Sequence, residues 1–220
     1  MTNLDSAKYV LTTTRAVRKR LDLARPVSRE VIEDCLEIAL QAPNGSNLNT
    51  WRWVLVDDRN TIARIGKLYD RALGDFIESL GDATGENYQG AHIPGFERIS
   101  DSVDHLRRHM GDVPMIVIPL MAGRTENLSA FFQASMWGSV LPAVWNFCLA
   151  LRTRGLGTAW TTAHLHREAE VADILGIPPA YTQVGLFPVA YTKGTDFKPG
   201  WRTPLRDVAH WNRFGPDPQT

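Results

Sequence analysis

Apolar residues recur at helical spacing at Val31, Cys35, Ile38, Ala39 and Ala42, which predicts an amphipathic helix from an N-cap at Ser28 through Gln41. Glu30 sits favourably in its first turn, and Pro43 stops it. Trp51 to Val56 alternates and is branched, as a half-buried strand should be. Upstream, Leu4 to Thr13 predicts a short helix; downstream, Arg59 to Leu73 predicts a longer one. Pro114 to Leu120 is a continuous apolar run, the pattern of a strand at the centre of a sheet. Leu128 to Arg152 is apolar nearly all round, so a helix there must be covered on most sides, and Pro142 should kink it.

Further along, Gly155 to Thr162 reads as a compact strand and Arg167 to Leu175 as a helix capped by Gly176. Thr182 to Tyr191 reads as another strand, and Thr203-Pro204 opens a final short helix. Between the early helices and the central strand, Gly81, Gly85, Gly90, Gly95 and Pro94 break up any period. The expectation is a long loop over 74–100, part of a variable lid at about 74–110. Helices and strands alternate, which implies a mixed α/β layered fold in one domain over 1–220, with a C-terminal extension at about 194–220.

At 220 residues the chain can bury a sizeable core, and 44% hydrophobic with 22% charged residues is ordinary for a globular domain. The formal net charge of +0 gives no bulk attraction to nucleic acid or to an anionic membrane. The run Trp137 to Leu151 is shorter than a bilayer requires and is expected to be a buried helix. Because the long apolar helix needs cover, a subunit interface is expected; a central core helix in a monomer is the alternative. Met1 to Asp5 has no basic region followed by an apolar run, so no secretory leader is expected and the cytoplasm is the expected compartment. Cys35 and Cys148, each among apolar neighbours, read as core filler in a reducing environment. The histidines lack zinc spacing, so no metal is expected, and His92, His105, His109, His164, His166 and His210 are assigned surface or capping roles.

The segment from Ala42 to Trp51 concentrates small and amide residues (Asn44, Gly45, Ser46, Asn47 and Asn49) where a helix gives way to a strand. Such residues tolerate left-handed backbone and both donate and accept hydrogen bonds. A flavin or purine ring edge asks for such partners; a plain turn uses the same residues. Arg15 to Arg20 is a basic run, suited either to a phosphate or to a solvated face. Neither a Gly-x-Gly-x-x-Gly fingerprint after a strand nor a Walker loop is present.

Four segments in order resemble the nitroreductase family of FMN-dependent oxidoreductases. Thr14-Arg15-Ala16-Val17-Arg18 is similar to the family's Arg-Arg-Ser-x-Arg, and Ala42 to Trp51 to its Ala-Pro-Ser-x-x-Asn-x-Gln-Pro-Trp. Gly155-Leu156-Gly157-Thr158-Ala159-Trp160 is close to Gly-Leu-Gly-Thr-x-Trp, and Arg202-Thr203-Pro204-Leu205 is similar to Arg-x-Pro-Leu. Thr14 stands where the family has a first arginine, Asn44 replaces a serine, and Asn49-Thr50 replaces Gln-Pro.

The resemblance implies a three-layer fold with a central mixed, mainly antiparallel sheet flanked by helices, in an intertwined homodimer. It implies FMN as cofactor, NAD(P)H as a transient electron donor, and a nitroaromatic or quinone as acceptor. Arg15 and Arg202 would hold the phosphate, Ala16 beside them would also contact the cofactor, and Arg18 would approach the pyrimidine side of the flavin. Asn44, Gly45, Ser46, Asn47 and Asn49 would reach the partner's flavin. Trp160, Thr161, Thr162 and Ala163 would pass along the isoalloxazine, with the Thr162 backbone N–H near N5 and no essential side-chain acid or base. Tyr88 and Phe96 would supply aromatic surface to the acceptor. Members with other flavin reactions (dehalogenation, azoline oxidation, flavin cleavage) and a non-catalytic flavin-storage protein remain alternatives.

Overall fold

The structure, a computed structural model, describes residues 3–80 and 94–215. Its centre is strand β2 (Met115–Ala122), buried along all but its last residue. Alternation divides that strand between two cores. Ile116, Ile118 and Leu120 join Ile62, Ile65, Leu106 and Val171 on one face; Met115, Val117 and Met121 join Ile32, Cys35, Val144 and Phe147 on the other. The helices follow from this division. α2 (Arg29–Ala39) and α5 (Ala130–Thr153) cover one face, and α3 (Arg59–Leu80), α4 (Phe96–His109) and α6 (Glu168–Leu175) cover the other. This is a three-layer α/β/α arrangement. α1 (Asn3–Thr13) lies against α5.

The strand ladders are antiparallel, with β1 (Trp51–Val56) on one side of β2 in the register Trp51↔Met121 to Val56↔Ile116. On the other side lie β4 (Tyr181–Gln183), against Leu120 to Ala122, and β5 (Phe187–Tyr191), against Met115 to Val117. β3 (Leu156–Thr158) pairs with β5 at the far edge. The strand expected over Thr182 to Tyr191 is therefore two strands, interrupted at Val184 to Leu186. Crowding accounts for the break: a Cβ on Gly185 would fall 2.5 Å from Trp160 Nε1, and Leu186 is drawn into paired hydrogen bonds with Thr161.

Other expectations are refined in the same way. Ser28 holds the N-cap position of α2 in extended backbone, but its side chain makes no capping bond. Ile32, Cys35 and Ala39 form the buried face of α2, and Ile38 faces outward. The final helix is a single 3₁₀ turn, Leu205–Asp207, with Pro204 at its cap. Gly176 takes the left-handed cap of α6 at φ 66°. α5 carries Pro142 in its interior, and by length and composition alone it meets the requirement for a membrane span, which the shorter run Trp137 to Leu151 did not. Its second half, from Val140 to Leu151, packs into the core.

The loop reading of 74–100 needs correction, and most of the segment proposed as a lid at 74–110 is helical where described. α3 continues through Gly74 to Leu80, and Phe96–His109 is helical, with Val103, Leu106 and Met110 at helical spacing toward the core. The flanking glycines masked that period. Residues 81–93 lie outside the described residues.

Two glycines of α3 give opposite expectations. A Cβ on Gly66 would fall 2.5 Å from the backbone of Gly111, whereas one on Gly74 would meet nothing within 4 Å. Gly66→Ala should therefore destabilise the fold by about 1–3 kcal/mol through overpacking. Gly74→Ala should stabilise it by about 0.5–1 kcal/mol through helix propensity. Urea unfolding of the two variants checks the pair.

Candidate active site

The N-terminal arginines are placed by backbone pairing at the open edge of the sheet. Val17 N–H donates to Thr158 O at 2.8 Å, Asp22 N–H to Tyr191 O at 2.8 Å, and Lys193 N–H to Arg20 O at 2.8 Å. The segment from Val17 to Asp22 thus runs beside β3 and β5. Gly157 permits the approach, since a Cβ there would fall 2.9 Å from Val17 Cγ2 and 2.6 Å from Thr192 Cγ2.

Two hollows open along this edge, and Trp160 lines both. The first, about 280 Å³, is bounded by Arg15, Ala16, Trp160 and Arg202 from the sequence-derived set, and by Arg152 and Cys148 in addition. Among the described residues, no carboxylate pairs with Arg15, Arg152 or Arg202. The Arg15 guanidinium lies against Gly200, where any side chain would overlap it. Burial pushes the Cys148 thiol up to about 12, so it stays protonated and acts as packing.

The second hollow, about 260 Å³, gathers Arg18, Trp160, Thr161, Thr162 and Ala163 with Tyr69 and other groups from α3 and α4. Arg18 is half-buried and has no carboxylate partner among the described residues; burial lowers its pKa, partly offset by Tyr69. Its Nη1 donates to Ser102 Oγ at 3.4 Å. Thr161 is fixed by exchanging backbone bonds with Leu186 (3.1 and 2.8 Å) and by Oγ1 donating to Leu186 O at 2.8 Å. No described group accepts the Thr162 N–H. Phe76 and His166 wall the hollow as a ring pair 5.6 Å apart.

Asn44, Gly45, Ser46, Asn47 and Asn49 line neither hollow. Gly45–Asn47 is a 3₁₀ turn capped by Asn44, and Ser46, Asn47 and the following Asn49 have φ between 51° and 55°. Its amides brace the turn: Asn49 N–H donates to Asn44 Oδ1 at 2.9 Å, and Asn49 Nδ2 donates to Asn47 O at 2.8 Å. Gly45 N–H donates to Ser139 Oγ at 3.0 Å, anchoring the turn beside the exposed first half of α5. Phe96 opens α4 and lines neither hollow. Tyr88 lies outside the described residues. Sequence reasoning missed Arg152, Tyr69, Phe76 and His166. All four sit on helices or turns between the recognisable motifs, where spacing marks a helix face but not its chemistry.

His164 departs from its assigned surface role. It is 0% exposed, the buried residue of the turn Ala163–Arg167 that follows Thr162. Neither ring nitrogen makes a well-formed hydrogen bond among the described residues, although the Gln183 side chain approaches the ring. Burial pushes its pKa down to about 4, against the opposing pull of Glu168 and Gln183. Among the described residues, no group of three or more His, Cys, Asp or Glu side chains could hold a metal ion.

The Nitroreductase family profile matches residues 11–191. The chain belongs to the nitroreductase family, whose members are FMN-dependent oxidoreductases. It is 24% identical over 188 residues to an iodotyrosine deiodinase of Thermotoga neapolitana, covering 83% of this chain and 87% of that one. Among solved structures it resembles the FMN- and NADPH-dependent nitroreductase NfnB from sphigopyxis sp. strain HMH, with a TM-score of 0.70, 18% identity, and 94% and 99% of the two chains covered. It also resembles an oxidized iodotyrosine deiodinase bound to FMN and 3-iodo-L-tyrosine, with a TM-score of 0.69, 23% identity, and 96% and 99% covered. At these identities the structural likeness is one of fold.

The state of His164 makes acid stability a test. Its folded pKa of about 4 lies below the ordinary 6.5, so the unfolded chain binds the extra proton as pH falls. The stability is fully present above pH 6.5 and is lost progressively toward pH 4. Unfolding free energy should drop by about 2 kcal/mol from this group between pH 7 and pH 5. Urea titrations of the wild type and His164→Leu at both values should show a smaller pH dependence in the variant.

Proposed function

We propose that the protein is an FMN-dependent oxidoreductase that takes hydride from NAD(P)H and passes it to an electron-poor acceptor, a nitroaromatic or quinone. The observation that carries this reading is the pair of adjoining hollows sharing Trp160, with carboxylate-free guanidiniums in each. That donor set suits FMN. Arg15 and Arg202 would hold its phosphate dianion, and Arg18 would stand beside the pyrimidine side of the ring. Bound there, FMN supplies a hydride acceptor at N5.

The residues present then have defined tasks. Arg18, poorly solvated and without a carboxylate, would favour the negative charge that the reduced ring gains, which raises its reduction potential. The unclaimed Thr162 N–H would donate toward N5, and the paired bonds between Thr161 and Leu186 keep that backbone in place. Trp160 would exclude water. No side chain need act as acid or base, and donor and acceptor would use one open face in turn, a ping-pong scheme. Two unpaired cysteines, Cys35 and Cys148, are in keeping with a reducing cytoplasmic setting.

We further propose a homodimer. Phe131 on the first half of α5 and Trp211 and Phe214 on the C-terminal arm are 72%, 77% and 92% exposed in the single chain. Such area calls for a partner, and a second copy would place Asn44 to Asn49 against the other subunit's site.

Purified protein should be yellow and should bleach when NADPH is added under argon. Arg202→Ala should weaken FMN binding by about tenfold or more, from a lost charge-assisted bond of about 1.5–3 kcal/mol. Flavin retained but unreduced by NADH or NADPH would favour a storage role; colourless protein that binds no added FMN would exclude the proposal.

Sedimentation of the flavin-loaded protein should give a dimer. A stable monomer of 24.6 kDa that holds FMN and turns over would refute the shared interface.

A further inference from the structure

Arg152 lies in none of the four motifs, yet it enters the first hollow from the last turn of α5. One of its terminal nitrogens is already committed: Nη2 donates to Thr195 O at 2.9 Å and to Tyr9 Oη at 3.2 Å. The guanidinium is steadied by the rings of Phe197 and Tyr9, whose centroids lie 4.9 and 5.6 Å away. A guanidinium has five N–H donors. Those on Nη1 have no partner among the described residues, and Nε is buried without one there. A buried, unmade charge-assisted bond is costly, and three guanidiniums around one hollow repel each other unless an anion joins them.

We infer that Arg152 is a third anion-binding residue of this hollow, which makes the site selective for a phosphate monoester dianion. The inference rests on the flavin reading for the identity of the ester and on the geometry alone for the anion. The proposed FMN site already has two cations in Arg15 and Arg202. A third, pre-oriented by Tyr9, Thr195 and Phe197, gives the doubly charged phosphate more partners than two forks supply. Its effect should fall on the phosphate and spare the isoalloxazine ring, since Arg152 borders only the hollow away from Thr161 and Thr162.

The test titrates the full chain, stripped of flavin, with FMN and separately with riboflavin, following the quenching of flavin fluorescence. Arg152→Met should weaken FMN by about tenfold and leave riboflavin unchanged, and Arg152→Lys should fall between the two. In parallel, the rise in melting temperature caused by inorganic phosphate is measured for each variant and should shrink in Arg152→Met. Equal losses for FMN and riboflavin would overturn the inference, leaving Arg152 as a tie between Tyr9 and Phe197; unchanged FMN affinity would overturn it as well. If the wild type binds neither flavin, the proposed function fails separately. The anion site is then supported by a phosphate-induced rise that Arg152→Met abolishes, and overturned by one that the variant keeps or that the wild type lacks.

Discussion

Met115, Val117 and Met121 point to one side of the central strand, and Ile116, Ile118 and Leu120 to the other. A strand buried on both faces needs an apolar layer above and below, and it needs neighbours on both edges to satisfy its backbone. β1 meets one edge, while β4 and β5 share the other, and β5 carries the sheet on to β3 at its far end. The arginine-bearing segment joins at that far edge. Cationic side chains therefore gather where the sheet meets solvent, close to the core but outside it.

The charges elsewhere show what is different about that edge. Arg124 is clasped by Glu126 and Glu168, Arg167 by Asp75 and Glu170, and Arg107 by Asp70 and Asp104. Such pairs lie near the surface and contribute little stability individually, on the order of 0–1 kcal/mol. They do fix orientation: Glu168 also receives Gln183 and so braces the end of β4 beside His164. Arg15, Arg18, Arg152 and Arg202 have no such partners among the described residues. Arg25, Arg52 and Arg59 also lack a carboxylate among the described residues, so what sets this edge apart is the gathering of Arg15, Arg152 and Arg202 around one hollow.

Much of this was legible from spacing. Trp51 to Val56 emerged with its bounds intact, since alternation and branching leave few other options. α5 emerged within two residues at each end because its composition has no competing reading. The interruption at Gly185 was not legible. It arises from the Trp160 indole crossing a neighbouring strand, a contact that no local pattern encodes. α4 was hidden for a different reason: glycines just before it outweighed a period resting on only Val103, Leu106 and Met110. Arg15 and Arg202, from the first and last motifs, line one hollow. The motifs could not supply Arg152, whose role depends on where a helix terminates.

The same asymmetry separates cofactor from acceptor. Of the residues proposed for FMN, Arg15 to Arg18 and Trp160 to Thr162 lie on or beside segments hydrogen-bonded to the sheet edge, where backbone pairing sets positions tightly. The second hollow takes its outer wall from Tyr69 and Phe76 of α3 and Val103 of α4, which reach it as side chains from a separate layer. A substitution in those helices can reshape the wall without moving Thr161, whose position is fixed by Leu186. One fold can thus keep its flavin chemistry constant while its acceptor changes. That is the physical reason a family signature written in the sheet edge names a cofactor more securely than it names a substrate.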